Sequence, residues 1–238
     1  MNVVILCGGK GTRLSEETII KPKPMVEIGG KPILWHIMKY YSSFGFNRFI
    51  LALGYKADYI EQYFSDKKLA YENKWVINLV DTGLNTFKGG RIKKIESYLE
   101  TENFHLTYGD GLSNIDIKKL VKFHLQHRKL ATVSAVRPPS RFGEMVIEGD
   151  VVKVFEEKSQ MNQGYINGGF FILNKKVMDY LEDDELCDFE FGPIQKIVQE
   201  KKLKAFLHHG FWQCMDNVRE RDYLNELLTT GEAPWIKW

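Results

Sequence analysis

Gly8-Gly9-Lys10-Gly11-Thr12-Arg13 and, ten residues after Arg13, Lys23 of Lys21-Pro22-Lys23-Pro24-Met25 are residue types suited to holding phosphate. Glycines at 8, 9 and 11 let the backbone turn tightly and bring bare N–H groups close to an anion. Thr12 adds a hydroxyl. Arg13 adds a planar fork that grips two phosphate oxygens, and Lys23 adds a compact positive charge. Immediately upstream, Val3 to Leu6 is a short apolar run that reads as a buried strand. A glycine loop leaving a first strand at its carboxyl end lies where open α/β sheets bind ligands. Two other phosphate motifs are excluded. A dinucleotide fingerprint over residues 9–14 fails because Leu14 stands at its last glycine, and no stretch supplies a Walker loop.

Asp110 is the strongest metal-ligand candidate. It lies between Gly109 and Gly111 after an apolar run at 104–108, so it projects from the carboxyl end of another strand. Magnesium is bound through one or two carboxylates plus phosphate oxygens and water, and Asp110 suits that role. No serine or cysteine sits in a recognisable nucleophile triad.

The elements that position these residues alternate. Strands are expected at residues 3–6, 48–53, 75–80, 104–108, 131–136, 170–173 and 205–208, and a hairpin at 146–157 turning on Glu148-Gly149-Asp150. Helices are expected at 34–44, 57–64, 91–99, 115–127, 177–181, 193–200 and 218–228. The polar stretch 65–74 reads as a surface loop. This is an α/β chain: a Rossmann-like, mostly parallel sheet with helices on both faces. No linker or repeat divides it. The expected domain is single, over residues 1–238, with a nucleotide-binding half to about residue 137 and an acceptor-binding half from about 138.

Composition excludes other classes. With 44% hydrophobic and 27% charged residues the chain is ordinary for a globular protein, and a net charge of +2 gives no reason to invoke nucleic acid or a membrane surface. No apolar run approaches the roughly 18–20 residues that span a bilayer. Cys7, Cys187 and Cys214 form neither a disulfide framework nor a zinc pattern, and the first residues are unlike a signal peptide, so a reduced, cytoplasmic protein is expected.

G-G-x-G-T-R-L followed by K-P-K-P-M resembles the signature of the sugar-1-phosphate nucleotidyltransferases. Further blocks, among them Asp81-Thr82-Gly83, Tyr108-Gly109-Asp110-Gly111, Asn167-Gly168-Gly169-Phe170-Phe171 and Phe211-Trp212-Gln213, are similar to the cytidylyltransferase branch that acts on glucose 1-phosphate. They run through essentially the whole chain. The resemblance implies the nucleotide-diphospho-sugar transferase type of fold, CTP and a sugar 1-phosphate as substrates, Mg²⁺ as cofactor, CDP-glucose and pyrophosphate as products, and a homo-oligomer.

It also implies roles. Asp110 and Asp216 become the metal ligands, although Asp216 or Asn217 would equally cap the helix expected from 218. Arg13, Lys23 and Asp110 become the catalytic set. Leu6, Gly8, Gly9, Gly11, Thr12, Arg13, Lys23, Arg91 and Gly109 contact the nucleotide, with Arg91 alternatively an exposed helix residue. Gly143, Glu157, Lys158, Asn167 and Gly168 contact the sugar phosphate. Tyr165 and Trp212 wall the acceptor site or pack in the core. The chain departs from the family pattern at Lys88 (threonine), at Ser159 (proline), and in having only ten residues between Phe64 and Trp75, where the family has a longer segment that reaches toward neighbouring subunits. Two other readings fit the same fold: the same transfer with UTP, dTTP or another phosphorylated acceptor, and a non-catalytic nucleotide-binding regulatory subunit.

Overall fold

A computed structural model describes residues 1–11, 20–138, 144–156 and 164–238. Among them a seven-stranded sheet forms the centre. In chain order its strands are β1 (Val3–Leu6), β4 (Arg48–Leu53), β5 (Val76–Asp81), β6 (Asn103–Tyr108), β8 (Ala131–Val136), β11 (Ile166–Asn174) and β12 (Leu203–His208). Small ribbons complete the set: β2 (Glu27–Ile28) with β3 (Lys31–Pro32), β9 (Glu144–Glu148) with β10 (Val151–Glu156), and β7 (Gly111–Ser113) with β13 (Trp212–Cys214). Across the sheet the order is β12-β8-β11-β6-β1-β4-β5. β11 runs antiparallel to both β6 and β8, and the remaining pairs are parallel.

Alternation explains why the strands read as continuous apolar runs. Val3 and Ile5 enter one core with Phe49, Leu51, Leu53 and Phe170. Val4 enters the other with Ile50, Ala52, Leu106 and Phe171. Successive side chains point to opposite faces, so a strand covered on both faces must be apolar throughout. The first face is covered by α1 (Ile33–Ser43), α2 (Ala57–Phe64), α5 (Ile117–His127) and α7 (Val218–Thr229), and the second by α4 (Lys88–Lys94) and α6 (Pro193–Gln199).

The expected elements are present with shifted ends, and two differ in kind. The segment read as a loop at 65–74 contains a further helix, α3 (Lys67–Asn73), because Asp66 caps it by accepting the N–H groups of Lys68 and Leu69. The helix expected at 177–181 is a 3₁₀ turn over Lys175–Tyr180.

β1 is the switch point of the sheet. Strands run outward from it to β4 on one side and β6 on the other, which opens a crevice at their carboxyl ends. Leu6 ends β1 and Tyr108 ends β6, so the glycine loop and Gly109-Asp110 enter the same crevice.

β6 also carries a stability cost. His105 is fully buried between Tyr41 and Phe46, and among the described residues neither ring nitrogen has a hydrogen-bond partner. Burial pushes its pKa down from 6.5 to about 3, and burial pushes that of His124 down to about 4. The unfolded chain therefore takes up these protons first as pH falls. Stability is full above pH 6.5 and is lost below it, at about 1.4 kcal/mol per pH unit for each histidine. His105→Gln, neutral at every pH, should flatten this limb: between pH 7.5 and 5.5 its urea midpoint should fall less than that of wild type. Equal falls would contradict the assignment.

Candidate active site

Lys23 is presented by a short 3₁₀ turn, Lys23–Met25, with proline on either side of it fixing the backbone. Its side chain is buried, and its ammonium lies 2.6 Å from Asp110 Oδ2 and 2.5 Å from Asp216 Oδ1. Burial alone would lower the Lys23 pKa; Asp110 and Asp216 more than reverse that, and it ends above the ordinary lysine value. Two carboxylates 106 positions apart in the chain thus converge on one cation.

The ribbon β7–β13 brings them together. Gly111 pairs with Cys214, and the Met215 N–H donates to the Asp110 carbonyl at 2.9 Å. Asn217 caps α7 by accepting the Glu220 N–H, leaving the Asp216 carboxylate to face Lys23. Of the two cap candidates the structure therefore takes Asn217.

The glycine loop occupies the other end of the same cleft, whose volume is about 550 Å³. Among the described residues, no protein acceptor takes the N–H of Gly8 or Gly9, so both remain available to an anion. The Gly8 carbonyl is already engaged, by the Tyr55 N–H at 3.1 Å and by Arg91 Nη2 at 3.0 Å. A side chain at Gly8 would collide with Arg91, its Cβ falling 2.1 Å from Nη1. At Gly109 a Cβ would press on Pro24 and the Leu6 carbonyl.

Arg91 is buried, which removes the alternative of an exposed helix residue. It borders the cleft, yet its terminal nitrogens are committed to the protein. Nη1 donates to Leu53 O, Thr82 Oγ1 and Gly83 O at 2.6–2.8 Å, and Nη2 to Gly8 O and Leu84 O. One guanidinium thereby ties together the loops leaving β1, β4 and β5.

Gly168 also lines the cleft, with Asn167 beside it, and Trp212 Nε1 donates to the Gly168 carbonyl at 2.7 Å. Trp212 is thus a wall of the cleft, while Tyr165 is partly exposed and packs against Arg137 and His209. Thr12, Arg13, Gly143, Glu157 and Lys158 lie outside the described residues. Of the other residues singled out from sequence, Leu6, Gly8, Gly9, Gly11, Lys23, Arg91, Gly109, Asp110, Gly168 and Asp216 all border this one cleft.

The cysteines offer no nucleophile here. Cys7 is buried and its thiol pKa is raised by burial and by Asp110. Burial and Asp216 push that of Cys214 up to about 12. Glu190, whose carboxylate accepts from the cleft-lining Tyr108 and Lys88, carries no signal in the sequence, because a single polar residue in an unrelated segment gives no pattern.

A glycine loop, a buried lysine and two converging carboxylates at the switch point of such a sheet are suited to phosphate transfer from a nucleotide. The chain belongs to the nucleotidyl transferase family, whose model matches residues 2–218. It is 46% identical to the glucose-1-phosphate cytidylyltransferase of Salmonella typhi, in an alignment of 257 positions that covers all of both chains. It is 41% identical to a probable glucose-1-phosphate cytidylyltransferase of Bacillus subtilis, again over all of both chains. Among solved structures it is similar to HddC from Yersinia pseudotuberculosis complexed with GMP-PN, at 31% identity and a TM-score of 0.69, covering 95% of this chain and 99% of that one.

Proposed function

We propose that this chain transfers a cytidylyl group from CTP to α-D-glucose 1-phosphate, giving CDP-glucose and pyrophosphate. The observation that carries the transfer chemistry is the convergence of Lys23, Asp110 and Asp216 beside the glycine loop. The choice of CTP and glucose 1-phosphate rests on the named relatives. Intact Lys23, Asp110 and Asp216 argue against a non-catalytic regulatory subunit.

In this reading a phosphate oxygen of the sugar 1-phosphate attacks the α-phosphorus of CTP in line. A new P–O bond forms, the α–β P–O bond breaks, and pyrophosphate departs with the electron pair. Both reactants are anionic, so catalysis is mainly positioning and charge screening. The N–H groups of Gly8 and Gly9 receive the triphosphate, Thr12 and Arg13 hold its β- and γ-phosphates, and Lys23 serves the α-phosphate. Asn167 and Glu157 take sugar hydroxyls, Lys158 takes the sugar phosphate, and Gly143 and Gly168 let the sugar approach closely. Arg91 acts beneath the nucleotide loop by fixing the Gly8 carbonyl.

Two carboxylates that converge on one cationic nitrogen suit a hard divalent cation, which takes oxygen ligands, and we assign Mg²⁺ to Asp110 and Asp216. Bound there, it would neutralise phosphate charge and polarise the α-phosphoryl group. Lys23 would then be released from the carboxylates to the α-phosphate. Among the described residues no helix is long and apolar enough to cross a membrane. We place the reaction in the cytoplasm, with the cysteines reduced and the chain a homo-oligomer.

The test is pyrophosphate release with glucose 1-phosphate and each nucleoside triphosphate in turn. CTP should be turned over fastest. Faster turnover of UTP, dTTP or GTP would overturn the base assignment and leave the transfer chemistry standing.

A further inference from the structure

Asn167 belongs to β11 at the point where its register on β8 shifts, between Asn167 and Phe171. The irregularity takes Asn167-Gly168-Gly169 out of the regular ladder, with Gly169 at φ 78°. Asn167 Oδ1 accepts the Gly169 N–H at 2.8 Å, and Asn167 Nδ2 donates to Tyr108 Oη at 3.1 Å. Tyr108 Oη in turn donates to Glu190 Oε1 at 2.6 Å, and the same carboxylate oxygen accepts from Lys88 Nζ at 2.5 Å. Lys88 also lies 5.5 Å from the centre of the Tyr108 ring. Asp188 fixes the turn from which Glu190 projects, by accepting the N–H groups of Glu190 and Phe191.

The direction of this chain of hydrogen bonds is set at its charged end. A carboxylate has no proton to give, so Tyr108 must spend its single O–H on Glu190 and can only accept from Asn167. Asn167 must then turn its NH₂ to Tyr108 and its carbonyl to the Gly169 N–H. The flipped amide would set donor against donor at Gly169 and acceptor against acceptor at Tyr108. What remains to Asn167 is one N–H and one carbonyl lone pair, a donor and an acceptor suited to sugar hydroxyls.

We infer that Glu190, acting through Tyr108 and held by Lys88, is a positioning residue that fixes the Asn167 carboxamide for the sugar of the acceptor. The inference rests on the reading of Asn167 as an acceptor contact. It also gives Lys88, a departure from the family pattern, a definite part in this chain.

Tyr108→Phe tests it with little disturbance, because the ring keeps its edge-on contact with Phe171. The KM for the sugar phosphate should rise about tenfold, while kcat and the KM for CTP stay within about twofold. Glu190→Ala should do the same. Glu190→Gln, which still offers Tyr108 a carbonyl, should recover most of the loss. The double variant Tyr108→Phe/Glu190→Ala should be no worse than either single variant. Both KM values moving together, or additive effects in the double variant, would overturn the relay. A readout without substrate separates this from the proposed reaction. The Asn167 side-chain amide NMR signals, assigned by their loss in Asn167→Ala, should shift and exchange faster in Glu190→Ala, which does not touch Asn167. Unchanged signals would overturn the relay whatever the acceptor. Shifted signals in an enzyme that ignores glucose 1-phosphate would uphold the relay and overturn the acceptor assignment.

Discussion

Replacing Lys23 with methionine should cut turnover by about 10²–10³-fold, the usual effect of removing one preorganised donor to developing charge. The same change should alter the protein before any substrate is added. Lys23 neutralises Asp110 and Asp216 at 2.6 and 2.5 Å, and Asp216 is largely buried. Breaking a buried pair typically costs about 3–5 kcal/mol, and the partial exposure of Asp110 puts the expected loss at the lower end. If Asp110 and Asp216 hold the metal as proposed, the lysine and a divalent cation compete in wild type for the same two carboxylates. Removing the lysine should therefore tighten Mn²⁺ or Mg²⁺ binding without nucleotide, and millimolar Mg²⁺ should restore much of the lost melting temperature. Calorimetric titration of metal into both proteins, with thermal melts, checks this. Equal metal affinity in the two would contradict the assignment of Asp110 and Asp216 to a shared cation.

Arg91 is expected to give the largest effect on stability. Arg91→Met removes the link among three strand ends: the Gly83 and Leu84 carbonyls lose the donor they have among the described residues, while the Gly8 and Leu53 carbonyls keep the N–H groups of Tyr55 and Thr82. Each orphaned acceptor costs about 1–3 kcal/mol, the charged hydrogen bonds lost at the other three acceptors add to that, and relaxation recovers part, so about 3–5 kcal/mol is expected. For a chain of this size that lowers Tm on the order of 10 °C. Arg91→Lys should rescue little, because one ammonium cannot reproduce a planar fork that reaches all three loops. As the Gly8 carbonyl is one of the acceptors, the KM for the nucleotide should rise more than that for the sugar phosphate. A folded Arg91→Lys protein with wild-type Tm and KM would contradict the positioning role.

How much of this was legible in the sequence follows from how local each signal is. The glycine loop, Lys23 and Asp110 lie within or beside short segments whose residue types carry their own chemistry. Helix α2 could be bounded from the apolar period in Ala57–Phe64 alone. The ribbon β7–β13 was not legible, since three-residue strands are too short to show a period, yet it joins the two carboxylates. Asp66 is a cap signal, but the polar face of α3 hid the helix behind it. The beginning of β11 was obscured by Asn167-Gly168-Gly169, which reads as a turn because the strand is irregular there. The role of Arg91 was hidden because its partners are backbone carbonyls, which leave no trace in residue type. The relay through Glu190 joins residues 59 and 82 positions apart, and only the folded sheet brings them together.

The most direct test of the central claim is the mass of the product formed when the purified protein, Mg²⁺, CTP and glucose 1-phosphate are incubated together. CDP-glucose, formed in step with pyrophosphate and abolished by EDTA, is the expected result. Pyrophosphate release without a nucleotide sugar, or no reaction despite measurable CTP binding, would contradict it.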